Sequence, residues 1–452
     1  MPESPPQEPP PAEPVPRWFE TPRFRTTVLV VTAILAVVEG GYAVFKRTND
    51  YEIYLTFGDH FLEGEPYRSI GNFYPLARTG FQAVVASLPK RLGKALVYVT
   101  ALLTVWGVAR VWERLAAKEQ GALPPPRRFA AATLAGAVMF PFILRDLDEC
   151  GLQLICLGLL TAAAAALDRG RPWLCGFWLA AGISFRVTPL LFLPLLVWKR
   201  EWKATAATVL FLAAWNLAPA VYLGPSEAVR QNKAWFEHVT TVLGDSPDAY
   251  PSTGRVETPK HQNVGLRAAL ARLLERYEPE HPLFIDHPLF VQFGDLSAPA
   301  AKRTILGVIA VMGAAVAWRM RRPWRAVKPA LPWDGRGENA GERTFAPLAR
   351  DWAVACLFAS LLSPVCWKHH TVLVLPVLFL AGRRIVAGAE SRGRTVAFWA
   401  AAACIWVGRK FLLGDELALV WLSYNFDTFA LLAFGALTLW APDSGEGKTA
   451  DG

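Results

Sequence analysis

The chain has 452 residues, 53% of them apolar and 12% aromatic, with 47 lysines and arginines against 38 aspartates and glutamates, a formal charge of +9. Its mean hydropathy is +0.25. These values exclude an ordinary soluble domain, and the apolar residues come in runs of helix-spanning length without period-two alternation, which excludes a membrane β-barrel.

Residues 1–16, MPESPPQEPPPAEPVP, are too proline-rich and acidic to bury a core, and residues 442–452 read the same way. Both are expected to be disordered cytoplasmic tails around a membrane domain of residues 17–441. The first apolar run, TTVLVVTAILAVVEGGYAVF, follows Arg17, Arg23 and Arg25 and ends without a small-residue cleavage pattern. It predicts an uncleaved helix that starts in the cytoplasm. Spans are predicted near 26–45, 92–112, 128–144, 150–167, 203–222, 304–319, 347–364, 370–384, 394–412 and 417–440. Between Arg171 and Lys199, PWLCGFWLAAGISFRVTPLLFLPLLVW is too long for one straight span and too short for two full ones, so a hairpin of two short helices bent at RVTP is predicted. The fold class is an all-α polytopic integral membrane protein of about 12 membrane helices.

Basic residues in short connectors test the orientation. The segments RVWERLAAKEQGALPPPRR, DRGR, KREWK, RMRRPWRAVK and GRRIVAGAESRGR all fall on the starting side, as the positive-inside rule requires. The positive balance therefore reflects membrane topology and not nucleic-acid binding. All seven histidines (His60, His238, His261, His281, His287, His369, His370) fall on the far side with two long loops, 46–91 and 223–303. Chemistry is expected on that extracytoplasmic face.

Several residues there are candidates. Asp50 sits just beyond the first span, before an acidic and aromatic run that reads as an interfacial helix. It suits a partly desolvated general base, although the residues alone favour an ordinary solvated loop aspartate or an N-cap. In SPVCWKHHTVLVLPVLFL, Lys368, His369 and His370 lie between apolar runs, with Pro364 to bend the backbone. They can face a lipid phosphate at headgroup depth; otherwise the lysine snorkels and the histidines cap the next helix. Arg186, at the hairpin bend, offers a fork to a phosphate or an ion pair to Asp148 or Glu149. Asp146 and Asp148 form an Asp-x-Asp pair, the kind that holds a divalent ion in many sugar-transfer enzymes, but also an ordinary acidic turn. Asp427 is an ionisable residue in the last span, with Arg409 or Lys410 as expected partner. The six cysteines form no CxxC pair, so neither a zinc site nor a disulfide framework is indicated, and no nucleotide-phosphate loop, HExxH or nucleophile triad occurs.

Four blocks in order, NDYEIYLTFGDHFLEGEPYRSIGNFYPL, RGRPWLCGFWLAAGISFRVTPLLFLPLLVWKREWKA, KHQNVGLRAALARLL and LLSPVCWKHHTVLVLPVL, resemble the polyprenol-phosphate-mannose-dependent mannosyltransferases of GT-C fold, glycosyltransferase family 87. The resemblance runs through roughly residues 40–385. It implies inverting transfer of a sugar, usually mannose, from a polyprenyl-phosphate donor to an acceptor hydroxyl of a glycolipid or glycan, on the outer face of the cytoplasmic membrane. It implies Asp50 as catalytic base, and no cofactor or metal. The family commonly has lysine at the position of Arg186 and serine at that of Cys366. KHQNVGL matches a block that usually reads Asn-Gln-Ser, which marks Lys260, Gln262 and Asn263 for sugar or acceptor binding, with loop packing as the alternative. A single carboxylate suffices for such a reaction, because a sugar phosphate already carries a good leaving group, whereas glycosidases need two. The other reading of the residues is a transporter or flippase for a lipid-linked or anionic solute, although no internal repeat supports it.

Overall fold

The computed structural model describes residues 17–46, 49–68, 72, 74–243, 263–278, 292–324 and 348–442. Apart from one isolated bridge between Glu275 and Leu296, the regular elements among them are helices.

Helix α1 (Pro22–Phe45) starts at Thr21, whose hydroxyl accepts the Phe24 N–H at 3.3 Å, with Pro22 at the first helical position. The first long loop folds into α2 (Asn49–Leu62) and α3 (Leu76–Ala86), which pack on each other. Tyr51, Tyr54, Phe57 and Phe61 recur at helical spacing and are all buried, so α2 has the amphipathic character read from its sequence. Then come α4 (Lys90–Gln120), α5 (Pro125–Asp148) and α6 (Gln153–Asp168).

The predicted hairpin consists of α7 (Pro172–Phe185), a 3-10 turn at Thr188–Leu191 and α8 (Phe192–Trp198), broken at Arg186 as expected. It is followed by α9 (Trp202–Leu217), α10 (Ala220–Leu223), α11 (Pro225–Leu243) and α12 (Leu266–Leu274), then α13 (Ala298–Arg319) and α14 (Leu348–Leu361). A 3-10 segment, Lys368–Val374, runs into α15 (Leu375–Ala387), and α16 (Arg392–Val407), α17 (Lys410–Ser423) and α18 (Phe426–Leu439) complete the order.

Six helical stretches among the described residues are long and apolar enough to cross a bilayer: Pro22–Phe45, Lys90–Gln120, Pro125–Asp148, Trp202–Leu223, Ala298–Arg319 and Lys368–Ala387. Helices α16 and α17 form a further pair bent by 91°, and Gln153–Asp168, Pro172–Phe185, Thr188–Trp198 and Phe426–Leu439 are shorter apolar helices. Pro22–Phe45 is only 6% buried in the protein, whereas Lys368–Ala387 is 83% buried. The latter is the axis of the core, packed against α5, α14 and α18.

Two predicted spans are corrected. Residues 394–412 break at Gly408 and Arg409, where α16 and α17 meet at a bend of 91° and Arg409 turns to Asp427. Residues 417–440 are not a single helix, because the chain breaks at Asn425, which adopts φ 65° between α17 and α18. Asparagine tolerates this left-handed geometry, and here both ends of its amide are held: Nδ2 donates to the Ala269 carbonyl at 3.0 Å and Oδ1 accepts from the Arg272 guanidinium. Helix α12 therefore fixes a break that residue periodicity within 417–440 does not reveal.

The two ends of the helices carry different sets of charged residues. At one end the basic connectors meet: Lys118 with Asp168, Arg383 with Glu113, and Lys199 with Asp351 and the backbone of Met320 and Arg322. At the other end lie Lys46, Asp50, Asp148, Glu149, Arg186, Asn263 and His369.

Candidate active site around Asp50 and Arg186

Asp50 is the second residue of α2, and its side chain is 28% exposed. Its backbone N–H donates to Glu149 Oε2 at 3.5 Å, and its Oδ2 lies 3.5 Å from His369 Nε2. Glu149 is held by Arg145 at 2.6 Å, and Asp148 is shared between Lys46 at 3.2 Å and Arg145 at 3.3 Å. The acidic turn after α5 is thus a salt-bridged anchor for the start of α2.

His369 and His370 lie edge to face, with ring centroids 4.2 Å apart. They do different things. His369 turns to Asp50, while His370 Nδ1 accepts the Trp367 N–H at 3.0 Å and lies 3.2 Å from the Val365 carbonyl, so its ring braces the Pro364 turn. Lys368 projects elsewhere, into the field of Asp427 and Arg409, and its ammonium makes no hydrogen bond or ion pair among the described residues. Asp427 itself is held by Arg409 through two contacts of 3.0 Å, the pairing expected for it.

Arg186 is buried at the hairpin break, and neither Asp148 nor Glu149 pairs with it. Its Nε donates to Thr188 Oγ1 at 3.0 Å and Nη1 to Gln153 Oε1 at 2.7 Å, while Nη2 donates to Ser363 Oγ at 3.2 Å and the Val365 carbonyl at 3.4 Å. The guanidinium joins the hairpin, α6 and the Ser363–Trp367 turn, and makes no ion pair with a carboxylate among the described residues. Such a charge is stable only with an anion or dense hydrogen bonding near it.

Asn263 is 2% exposed. Its Nδ2 donates to the Pro364 carbonyl at 3.0 Å, and its Oδ1 accepts from Gly265 N at 3.0 Å and Cys366 N at 3.1 Å. Gly265 is required by this contact, since a Cβ there would stand 2.9 Å from the Ser363 carbonyl and 3.0 Å from Asn263 Oδ1. Asn263 therefore stitches the start of the 263–278 segment onto the Pro364 turn. Lys260 and Gln262 lie outside the described residues.

The two carboxylates of the Asp-x-Asp pair face different tasks. Asp146 is buried, and its oxygens accept the N–H groups of Gln153 at 3.4 Å and Leu154 at 3.0 Å, which caps α6. Asp148 is used in the ion pairs above. Among the described residues, no group of three or more histidines, cysteines, aspartates or glutamates converges as a metal site would require.

Sequence reading missed Arg78. It lies on α3 and is 1% exposed, with Nη1 donating to the Phe185 carbonyl at 2.7 Å and its guanidinium carbon 3.3 Å from the Tyr74 ring centroid and 5.1 Å from that of Tyr54. Burial holds the Tyr54 phenol well above its ordinary range, so the ring faces Arg78 as a neutral π surface. The available signal was a lone arginine within the apolar helix LARTGFQAVVA.

The sequence profile of glycosyltransferase family 87 matches residues 72–332. Three curated relatives resemble the chain. A polyprenol-phosphate-mannose-dependent alpha-(1-2)-phosphatidylinositol mannoside mannosyltransferase of Mycolicibacterium smegmatis is 27% identical over 73% of this chain and 68% of its own length. The protein of the same description from Mycobacterium tuberculosis is 28% identical over 47% of this chain and 38% of its own. A polyprenol-phosphate-mannose-dependent alpha-(1-2)-phosphatidylinositol pentamannoside mannosyltransferase of Mycobacterium tuberculosis is 24% identical over 75% of this chain and 60% of its own. The chain thus spans less than two thirds of the length of two of these three relatives. Among solved structures, ArnT from Cupriavidus metallidurans bound to undecaprenyl phosphate aligns with a TM-score of 0.34 and 14% identity, covering 91% of this chain and 78% of that one. With a profile match over more than half of its residues, the chain belongs to glycosyltransferase family 87.

Proposed function

We propose that this glycosyltransferase moves a mannosyl group from a polyprenyl-phosphate donor to a hydroxyl of a glycolipid acceptor, with inversion, at the extracytoplasmic face of the cytoplasmic membrane. The donor and the acceptor class follow from the relatives, which are described as polyprenol-phosphate-mannose-dependent and as acting on phosphatidylinositol mannosides. The side of the membrane follows from the basic connectors. Residues 17–441 form the GT-C membrane domain in this reading, with outer loops 46–91 and 223–303 and cytoplasmic tails 1–16 and 442–452.

The observation that carries the mechanism is the meeting of Asp50 with His369 at 3.5 Å, beside the buried guanidinium of Arg186. Asp50 takes the proton of the acceptor hydroxyl as its oxygen bonds to the anomeric carbon. The bond from that carbon to the phosphate oxygen breaks on the opposite face, the configuration inverts, and polyprenyl phosphate leaves with the electron pair. His369 orients the carboxylate and Arg186 stabilises the charge on the leaving phosphate. The donor-phosphate role expected of Lys368 and His370 is corrected: Lys368 points toward Asp427 and Arg409, and His370 is a neutral brace of the Pro364 turn. Asn263 positions the second outer loop over the same turn, and Lys260 and Gln262 of that loop contact sugar or acceptor.

The test is mass spectrometry of a lipid extract incubated with membranes containing the protein and polyprenyl-phosphate mannose. A glycolipid heavier by one hexose is expected. No hexose gain on any lipid, with donor consumed by water alone, would contradict the assignment.

A further inference from the structure

We infer that Arg78 is a second binding residue for the phosphate of the lipid donor, completing with Arg186 a two-arginine clamp beside Asp50. The inference rests on the transferase reading above and begins with a group that the protein leaves unsatisfied. Arg78 is 1% exposed, yet its Nε and Nη2 have no hydrogen-bond partner, and among the described residues it forms no ion pair with a carboxylate. Arginine does not escape burial by losing its proton, so the charge persists. A buried cation with two unmet donors is costly, and such a site is stable when an anion supplies the missing acceptors.

Its position identifies the anion. Tyr54, under the guanidinium, stands one helical turn beyond Asp50 on α2, and so on the same face. On its other side Arg78 donates to the carbonyl of Phe185, the residue preceding Arg186. Arg78 lies within the electrostatic field of Arg186, His369 and His370 as well. An anion held by its free edge thus sits between the carboxylate that activates the acceptor and the arginine at the hairpin break. Tyr74 at 3.3 Å holds the guanidinium plane, which leaves Nε and Nη2, the pair that grips two phosphate oxygens side by side. One turn further along α3, Gln82 is also 1% exposed with both amide atoms unpartnered, a second polar group on the face that carries Arg78.

The chemistry recognised is a phosphate ester, and its source is the lipid. The test uses the full-length protein in nanodiscs, with sugar-free polyprenyl phosphate, the matching polyprenol and inorganic phosphate as ligands. Dissociation constants and melting temperatures are measured for wild type, Arg78→Gln and Arg78→Lys. Arg78→Gln is expected to melt no lower than wild type without ligand, because it removes an unpaired charge. Its affinity for polyprenyl phosphate should fall at least about tenfold, with polyprenol binding unchanged. Arg78→Lys should fall between, keeping the charge but losing the fork. A lower melting temperature for Arg78→Gln with unchanged polyprenyl phosphate affinity would overturn the inference, as would inorganic phosphate binding as tightly as the lipid. Failure of the transferase reading is separable: transfer would be absent while phosphate binding still depended on Arg78.

Discussion

The carboxylate of Asp50 and the imidazole of His369 approach to 3.5 Å, one at the start of α2 and the other at the entrance to the most buried of the six span-length helical stretches among the described residues. That contact joins the two stretches of sequence in which ionisable residues sit beside apolar runs. It assigns the two adjacent histidines different jobs, because only His369 reaches the carboxylate while His370 is held by the backbone of its own turn.

If His369 orients Asp50, then His369→Ala should lower kcat by about 10- to 100-fold, less than loss of the base itself. Donor KM should change little. His369→Asn and His369→Gln, which keep a donor, should recover part of the rate. Equal loss in all three variants, or a loss confined to KM, would assign His369 to donor binding instead.

Asn263→Ala should destabilise the protein by about 1–3 kcal/mol for each backbone N–H left unmatched, here those of Gly265 and Cys366. The melting temperature should fall while KM for donor and acceptor stays near wild type in the folded fraction. A selective rise in KM at unchanged melting temperature would return Asn263 to sugar binding.

The buried Arg409–Asp427 pair is a structural element. Arg409→Ala leaves Asp427 buried without its partner and should cost about 3–5 kcal/mol of stability. The double variant Arg409→Leu/Asp427→Leu should regain much of that loss. Thermal unfolding of the two variants checks this, and a transfer rate that collapses in the double variant despite normal folding would mean that the pair serves the reaction.

The helical membrane fold was legible because hydrocarbon imposes a length and an apolarity that composition displays directly. The hairpin at Arg186 was legible too, since Pro189 and a charge in an apolar run both mark a break. The break at Asn425 was not, because its cause lies in α12, far away in sequence. Charges stranded in apolar surroundings marked Arg186 and the Lys368–His370 run, while Asp50 was marked by the family resemblance. What they do to one another depends on contacts across helices, such as Arg186 with Ser363, or Asn263 with the backbone of the Pro364 turn. Arg78 stayed hidden because one arginine in an amphipathic helix is ordinary, and its unmet N–H groups exist only in three dimensions.

The most direct measurement is mannosyl transfer from polyprenyl-phosphate mannose by membranes carrying wild type or Asp50→Asn, with polyprenyl phosphate affinity measured alongside. Asparagine fills the same space but accepts no proton, so transfer should fall by about 10²- to 10⁴-fold with affinity for the carrier retained. Undiminished transfer in Asp50→Asn would contradict the account and remove Asp50 from the reaction.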